Sequence, residues 1–528
     1  MRNFDNAYLS LKNSTSWKLM IVFILGLSSG LPLALTGQSL QAWLTTENVD
    51  ISTIGFFSLV GLPYTFKFLW APLMDRFELP GLGRRRGWLV VSQIAVAGAL
   101  VLMSSFSPST QTQIVALLAV LVAFLSASQD VVIDAYRADI LEPSTRGLGS
   151  SLSVFGYRLA MIISGGVAFI WADPANGNGW NWPKIYVIMA GIMIAMAIIS
   201  VLFLPSLPKN MTAPTSNAKN DLLGFLALVI VVFIGYQFTT RLASPFSDYI
   251  LTAVFPALDD GSVNPNLKKW SDMLSLLLGI AFAVPLAWWA SKKAKYETLN
   301  TSLANYFSMK GAAQFLALIV LYKLGDAFAG SLMTPFLLKG VGFTQAEVGV
   351  VNKVIGMWLT IGGAILGGAL MMRLGLYRSL FTFGLLQLLS NLGFWLVSVQ
   401  GKGAWGAFAL PSFDIIFVSL KEATNVDWLL LFAVGLENIT GGMGTAAFVA
   451  FLMALCNQKF TATQFALLSA LASVGRVWVG PLAGVLIVSI GWPSFFIFST
   501  VMAIPGLYML YKLREVIGAL EAPRAQGK

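Results

Sequence analysis

The chain reads as an all-α polytopic membrane protein, with two six-helix bundles and two extra transmembrane helices between them. Three observations predict this. The composition is 57% hydrophobic and only 11% charged, against roughly 45–50% and about 25% in soluble proteins. The apolar runs are long enough to cross a bilayer, which takes about 20 helical residues each. Those runs fall into two sets of six, and landmarks in the first set recur in the second.

Taken in order, the first six runs lie near 18–40, 52–74, 88–107, 112–136, 148–171 and 184–205. The segment before the first is polar, and no small-residue cleavage site follows Leu31-Pro32, so the first run is expected to be a retained helix and not a signal peptide. A break rich in Pro, Asn and Lys, PSLPKNMTAPTSNAKND, occupies 205–221. Two runs follow near 222–243 and 272–290, and six more near 311–338, 347–372, 377–400, 428–456, 463–487 and 491–513. This predicts a first bundle over 1–205 and a cytoplasmic linker with two extra helices over 206–310. A second bundle over 311–514 and a cytoplasmic tail over 515–528 complete the chain. The loop 401–427 carries no recognisable pattern.

Lys and Arg accumulate in cytoplasmic loops. With the amino terminus inside, inner segments hold Arg76 with Arg84–Arg86, Arg137 with Arg146, Lys209 with Lys219, and Lys292, Lys293 and Lys295. The first outer loop carries Glu47 and Asp50 and no base. Both termini are therefore expected in the cytoplasm. The net charge of +10 is spread among these loops, so it is topological and not a nucleic-acid stripe. Cys456 is the only cysteine and histidine is absent, which excludes intrachain disulfides, His-ligated metals and imidazole relays. No cofactor is expected, and proton chemistry near neutral pH must use perturbed carboxylates or lysines.

The repeat supports the division. Arg158 precedes Gly166 by eight residues, as Arg476 precedes Gly484, and ALMMR at 369–373 answers APLMDR at 71–76. Two six-helix halves of like orientation are the major facilitator architecture. Asp75-Arg76 followed by Gly83-Arg84-Arg85-Arg86 resembles that superfamily's G-x-L-x-D-R-x-G-R-[RK] signature, with Ala71 for the first glycine and an insertion from Glu78 to Leu82. Asp75, Arg76, Arg84, Arg85 and Arg86 are thus a candidate gating latch, the alternative being a topogenic charge cluster.

Charge inside hydrocarbon is costly and marks function. The spans hold the cations Lys67, Arg158, Lys323, Lys353 and Arg476 and the acids Asp130, Asp134, Asp326 and Glu437. A surplus of one cation suits a polar, anionic cargo. Asp130 and Asp134 lie one helical turn apart on one face, where each raises the other's proton affinity. They are the first candidates for proton coupling, Asp134 ahead because Arg137 and Arg158 offer it partners, with Asp326 and Glu437 behind them. Lys323 and Asp326, at i,i+3, are equally readable as a structural ion pair. Gln38, Gln41, Trp43, Tyr136, Tyr157, Asn352, Gln387, Asn391, Asn438 and Gln464 are candidates for binding sugar rings and amides, against interhelical packing as the alternative. Trp70, Trp88, Trp171, Trp180 and Trp182 read as interface anchors. Glycines at Gly26 and Gly30, Gly362–Gly368 and Gly441–Gly444 predict close helix packing.

Several runs resemble the AmpG-type anhydromuropeptide permeases of Gram-negative inner membranes: GLPLALT at 30–36, FKFLWAPLMDR at 66–76, SASQDVVIDAY at 126–136, YKLGDAFA at 322–329, AEVGVVNK at 346–353 and ENITGGMGTAAFVA at 437–450. The resemblance implies a major facilitator fold with two added helices and proton-driven import of N-acetylglucosaminyl-1,6-anhydro-N-acetylmuramyl peptides. Its implied partners are cargo, protons and the bilayer, and a monomer suffices. The QD-x-x-x-D core is shared with acetyl-CoA transporters, so another bulky anion is an alternative cargo. A membrane transferase would need a sizeable catalytic segment, which the loops near 244–271 and 401–427 do not offer.

Overall fold

The computed structural model describes residues 14–71, 74, 83–141, 146–205, 218–256, 264–296, 300, 304, 308, 311–415, 418–455 and 461–521. Helices dominate because a chain in lipid must satisfy its backbone donors and acceptors within each segment. Among the described residues, twelve helices are long and apolar enough to cross a membrane. Two differences separate this number from the expected fourteen. The second run is a shorter apolar helix, Ile51–Phe66. The thirteenth and fourteenth, counted as one over Thr461–Lys512, are two helices that meet at Gly491, whose non-helical φ of 75° only glycine adopts readily.

Glycine decides how the bundles pack. A Cβ on Gly26 or Gly30, in Thr15–Thr36, would collide with the Ser153 or Tyr157 carbonyl oxygen of Arg146–Met161. In the second half, a Cβ on Gly363 of Gly356–Leu374 would meet the Ile439 carbonyl of Trp428–Leu455 in the same way. Both halves thus bring two helices into backbone contact, which small residues alone permit.

The halves meet through two glycine crossings and a set of polar contacts. A Cβ on Gly55 would lie 2.6 Å from the Gly480 carbonyl oxygen, and one on Gly349 would lie 2.9 Å from that of Gly166. The Gln41 amide donates to the Ser331 carbonyl at 2.8 Å, and Ser58 Oγ to the Val477 carbonyl at 2.8 Å. The Ala346 amide donates to Asp173 at 2.7 Å, and the Lys421 amide to the Asn176 carbonyl at 3.0 Å.

The extra helices stand at the periphery. The first runs Ala218–Phe238, through a π-helical turn Thr239–Ala243, to Ser244–Thr252. It pairs with Pro265–Lys293, where Phe238 stacks on Phe282 at 4.2 Å. Most of their outer surface is exposed and apolar, as at Val232 and Tyr249. Tyr296 ties them inward, its hydroxyl donating to the Leu69 carbonyl.

The unpatterned loop 401–427 forms two short antiparallel ladders: β1 (Ala407–Leu410) with β4 (Thr424–Asp427), and β2 (Phe413–Ile415) with β3 (Val418–Leu420). This hairpin, a small addition to a helical fold, reaches the other half through Lys421. Three tryptophans also differ from expectation. Trp70, Trp171 and Trp182 are buried, and Trp70 donates its indole N–H to Ser128 Oγ at 3.0 Å. They pack the bundle and do not anchor it at the interface.

Candidate functional site

The first charged face belongs to Thr112–Ile140, whose last turns carry Asp130 and Asp134. Opposite, the chain leaves Leu62–Phe66 and tightens into a 3₁₀ turn, Lys67–Leu69. That turn places Lys67 Nζ 3.9 Å from Asp130 and 3.8 Å from Asp134, so one ammonium addresses both acids. Their surroundings differ. Asp130 is 8% exposed and accepts a 2.5 Å hydrogen bond from Ser29 Oγ. The Asp134 side chain is 54% exposed and pairs with Arg137 at 3.1 Å. Arg158, expected near Asp134, instead donates to Met357 Sδ at 3.7 Å across the two halves. Next to Ser29, Ser28 Oγ accepts from the buried amides of Gln93 and Gln129 at 2.8 and 2.9 Å. Both glutamines escaped the sequence reading, although Gln129 adjoins Asp130.

The second face lies in the other half. Lys323 interrupts the helix between Ala312–Tyr322 and Leu324–Ser331. Its Nζ lies 3.2 Å from Asp326 and 3.3 Å from Gln387 Oε1, while Gln387 Nε2 donates to the same Asp326 oxygen at 2.6 Å. Ser390 Oγ donates to Glu437 at 3.3 Å. Asn391, one turn beyond Gln387, is fully buried, and neither side-chain polar atom has a hydrogen-bond partner among the described residues. Asn438 is held structurally, donating to the Val434 carbonyl and accepting from Thr360 Oγ1 at 2.7 Å.

The remaining candidates divide sharply. Trp43 is 1% exposed and packs on Tyr186 with ring centroids 5.0 Å apart, so it belongs to the core and not to a binding surface. Tyr136 is likewise buried, its hydroxyl donating to the Pro205 carbonyl at 2.9 Å. Both are packed against neighbours here, and an aromatic near the midplane looks the same in sequence whether it faces a cavity or a neighbour. Gln38 is exposed, Tyr157 and Asn352 are half-buried, and Lys353 is buried against the other half. Gln41 lines a cavity of about 100 Å³ with Leu33, Thr36, Phe57, Ser58 and Tyr64. The side chains of Arg476 and Gln464 lie outside the described residues, as do Asp75, Arg76 and the side chain of Arg84. Arg85 pairs at 3.1 Å with Asp139, an acid three residues past the run SASQDVVIDAY. Arg86 is partly buried, and its Nε has no hydrogen-bond partner among the described residues.

One end of the molecule carries a second polar set that the sequence did not single out. Thr344 and Glu347 cap Gln345–Val348 reciprocally, and Glu347 also receives Lys402 at 2.6 Å. Asp173, from the first half, accepts the next amide of that turn, Ala346. A carboxylate at a helix N-terminus is favourable, so here it joins the halves.

Paired halves, charged residues facing one another inside apolar helices, and contacts between halves at glycine crossings define a secondary transporter of the facilitator type. The chain belongs to the Major Facilitator Superfamily, whose family model matches residues 19–420. It is 42% identical over 94% of its length to the anhydromuropeptide permease of Escherichia coli K12, covering 80% of that protein. It is 33% identical to an uncharacterised protein of Haemophilus influenzae, over 94% of both chains. A putative transporter AmpG 4 of Rickettsia conorii shares 27% over 95% of this chain and 97% of that one. The AmpG-type resemblance read from the motifs therefore extends along nearly the whole chain. Among solved structures, the peptide transporter POT in complex with sulfate matches with a TM-score of 0.60 at 13% identity, over 95% of each chain. A bacterial homologue of the human lysosomal transporter Spinster, inward-facing and unoccupied, matches at 0.57 and 13%, over 98% and 99%. At these identities the likeness is one of fold.

Proposed function

We propose that the chain is a proton-coupled importer of N-acetylglucosaminyl-1,6-anhydro-N-acetylmuramyl peptides, carrying them from periplasm to cytoplasm by alternating access. It serves peptidoglycan recycling and, where the regulatory genes exist, β-lactamase induction. It resides in the bacterial inner membrane as a monomer with both termini cytoplasmic, an orientation supported by the loops rich in Lys and Arg. Under that orientation the contacts through Gln41, Asp173 and Lys421 close the periplasmic end. The whole-length similarity to a named anhydromuropeptide permease supports the cargo.

The observation that carries proton coupling is the shared ammonium of Lys67, set between a buried Asp130 and an exposed Asp134. When Asp130 takes a proton its charge disappears, and Lys67 is released toward Asp134 or an anionic group of the cargo. Both outcomes change the electrostatic balance between the two faces, which is how a proton biases one of two states. The buried acid is the coupling group in this reading, and Asp134 the relay to the cytoplasmic side. Lys323, Gln387 and the amides near them present hydrogen-bonding groups to cargo from the second half, and Arg85 with Asp139 serves as part of the cytoplasmic latch.

The test is uptake of radiolabelled disaccharide tripeptide into right-side-out vesicles under an imposed inward proton gradient, comparing the parent with Asp130→Asn. Gradient-driven uptake by the parent, lost in an inserted and folded variant, supports the reading. Undiminished uptake moves coupling to Asp134, Asp326 or Glu437. If the parent takes up no muropeptide but is driven by acetyl-CoA or another bulky anion, the cargo assignment fails.

A further inference from the structure

Two π-helical turns face each other where the halves meet: Ile162–Val167 in the first and Gly349–Ile355 in the second. Such turns are uncommon and cluster at functional positions. Here they are pressed together by glycine. A Cβ on Gly166 would lie 2.9 Å from Val354 Cγ2 and 3.3 Å from Lys353 Cβ, so the lysine stem is wedged against the opposite half.

Lys353 is 5% exposed. Its Nζ lies 5.7 Å from the centroid of Phe169, a residue of the first half, and no carboxylate among the described residues reaches it within ion-pair distance. A ring face compensates only part of an ammonium's lost hydration. The two other lysines inside the membrane segments differ: Lys67 and Lys323 each have a carboxylate partner. Because Phe169 and Gly166 come from one half and Lys353 from the other, the joining of the halves at this end is what buries the ammonium. Parting them returns it to the pathway.

We infer that Lys353 makes closure of the periplasmic end conditional on an anion: a carboxylate of the cargo's peptide stem becomes its counter-ion, and without one closure is opposed. This rests on the proposed import reading for the identity of the anion, though not for the role of the lysine. A ligand shifts a conformational equilibrium only by its differential affinity for the two states, and an anion beside a desolvated ammonium supplies that difference. An empty carrier would then stay open to the periplasm, and a loaded one would commit.

The experiment uses full-length protein in vesicles, with Cys456 replaced by Ser and a reporter pair Asn176→Cys and Lys421→Cys, whose backbones are hydrogen-bonded in the closed arrangement. Disulfide yield then measures closure. In the parent background, disaccharide tripeptide should raise the yield, and the same compound with its carboxylates amidated should not. Lys353→Met should raise the ligand-free yield by roughly tenfold and abolish its dependence on cargo, while Lys353→Arg should keep the parent's behaviour. A Lys353→Met carrier whose ligand-free yield matches the parent's overturns the inference, as does one whose yield is lower. The ligand-free arm contains no cargo. If tripeptide fails in the parent while Lys353→Met still closes spontaneously, the cargo assignment fails and the lysine's role stands.

Discussion

The two charged faces lie one in each half and are held differently. In the first half one ammonium spans two carboxylates at 3.8 and 3.9 Å, beyond hydrogen-bond distance, and one of those acids is half open to solvent. In the second, Lys323, Asp326 and Gln387 interlock through contacts of 2.6 to 3.3 Å on two segments. A loosely shared cation can change partner at little cost, whereas a closed network resists the loss of any member. The contrast teaches where each job is best placed: exchange of charge in the first half, and a fixed polar surface in the second.

The strongest way to break that comparison is to neutralise one acid on each side, the buried Asp130 and the half-buried Glu437. Asp130→Asn should lower gradient-driven uptake by the order of 100-fold while leaving exchange of cargo at equal pH in place. Glu437→Gln should lower both by less than about tenfold. Equal losses in the two variants, measured in the same vesicles, would erase the division of labour.

Stability sharpens it next. Lys323→Met leaves Asp326 without its cation in a site about one-fifth exposed, and should lower unfolding free energy by about 1–3 kcal/mol, seen as a fall in melting temperature in detergent. Lys67→Met removes a one-third exposed ammonium at 3.8 and 3.9 Å, and Asp130 keeps its hydrogen bond from Ser29, so it should cost less, under about 1 kcal/mol. The reverse order would show that the distances mislead about which network is tight.

Packing offers a control that should not distinguish the halves. Gly26→Ala and Gly363→Ala each drive a methyl into the carbonyl oxygen of a neighbouring helix, and both should destabilise by roughly 1–3 kcal/mol. Gly98→Ala and Gly368→Ala, whose methyls meet nothing within 4 Å, should stay within about 0.5 kcal/mol. A large effect at Gly98 would point to a rearrangement of the first bundle.

The smallest effect lies at Asp50, which caps Ile51–Phe56. Burial works against its carboxylate, but hydrogen bonds from the Ser52 and Thr53 hydroxyls and the Thr53 amide, with Lys269 nearby, hold its pKa below the usual value of 3.8. The depressed pKa means that its stabilisation is complete above that value and is lost as pH falls through the folded pKa. Asp50→Asn should therefore flatten the acid limb of the melting profile slightly and lower the plateau above about pH 5 by a small amount that does not vary with pH.

By itself the sequence determined the class, the family and most of the helices, because hydrocarbon tolerates few backbone solutions and a run of about 20 apolar residues announces one of them. It placed both acids on one face and marked the glycines that join helices, since both follow from helical period alone. What only the tertiary structure decided was the role of each polar residue. Neighbouring arginines put Asp134 ahead of Asp130 in the sequence, but only Ser29 and the neighbouring helices bury one and leave the other wet. Trp43 and Tyr136 read as cavity residues until packing closes over them, and the contacts of Asp173 with Ala346 and of Lys402 with Glu347 carried no local signal because the partners are distant in sequence. Period fixes which face a side chain takes, but burial and partners depend on what the rest of the chain brings to that face.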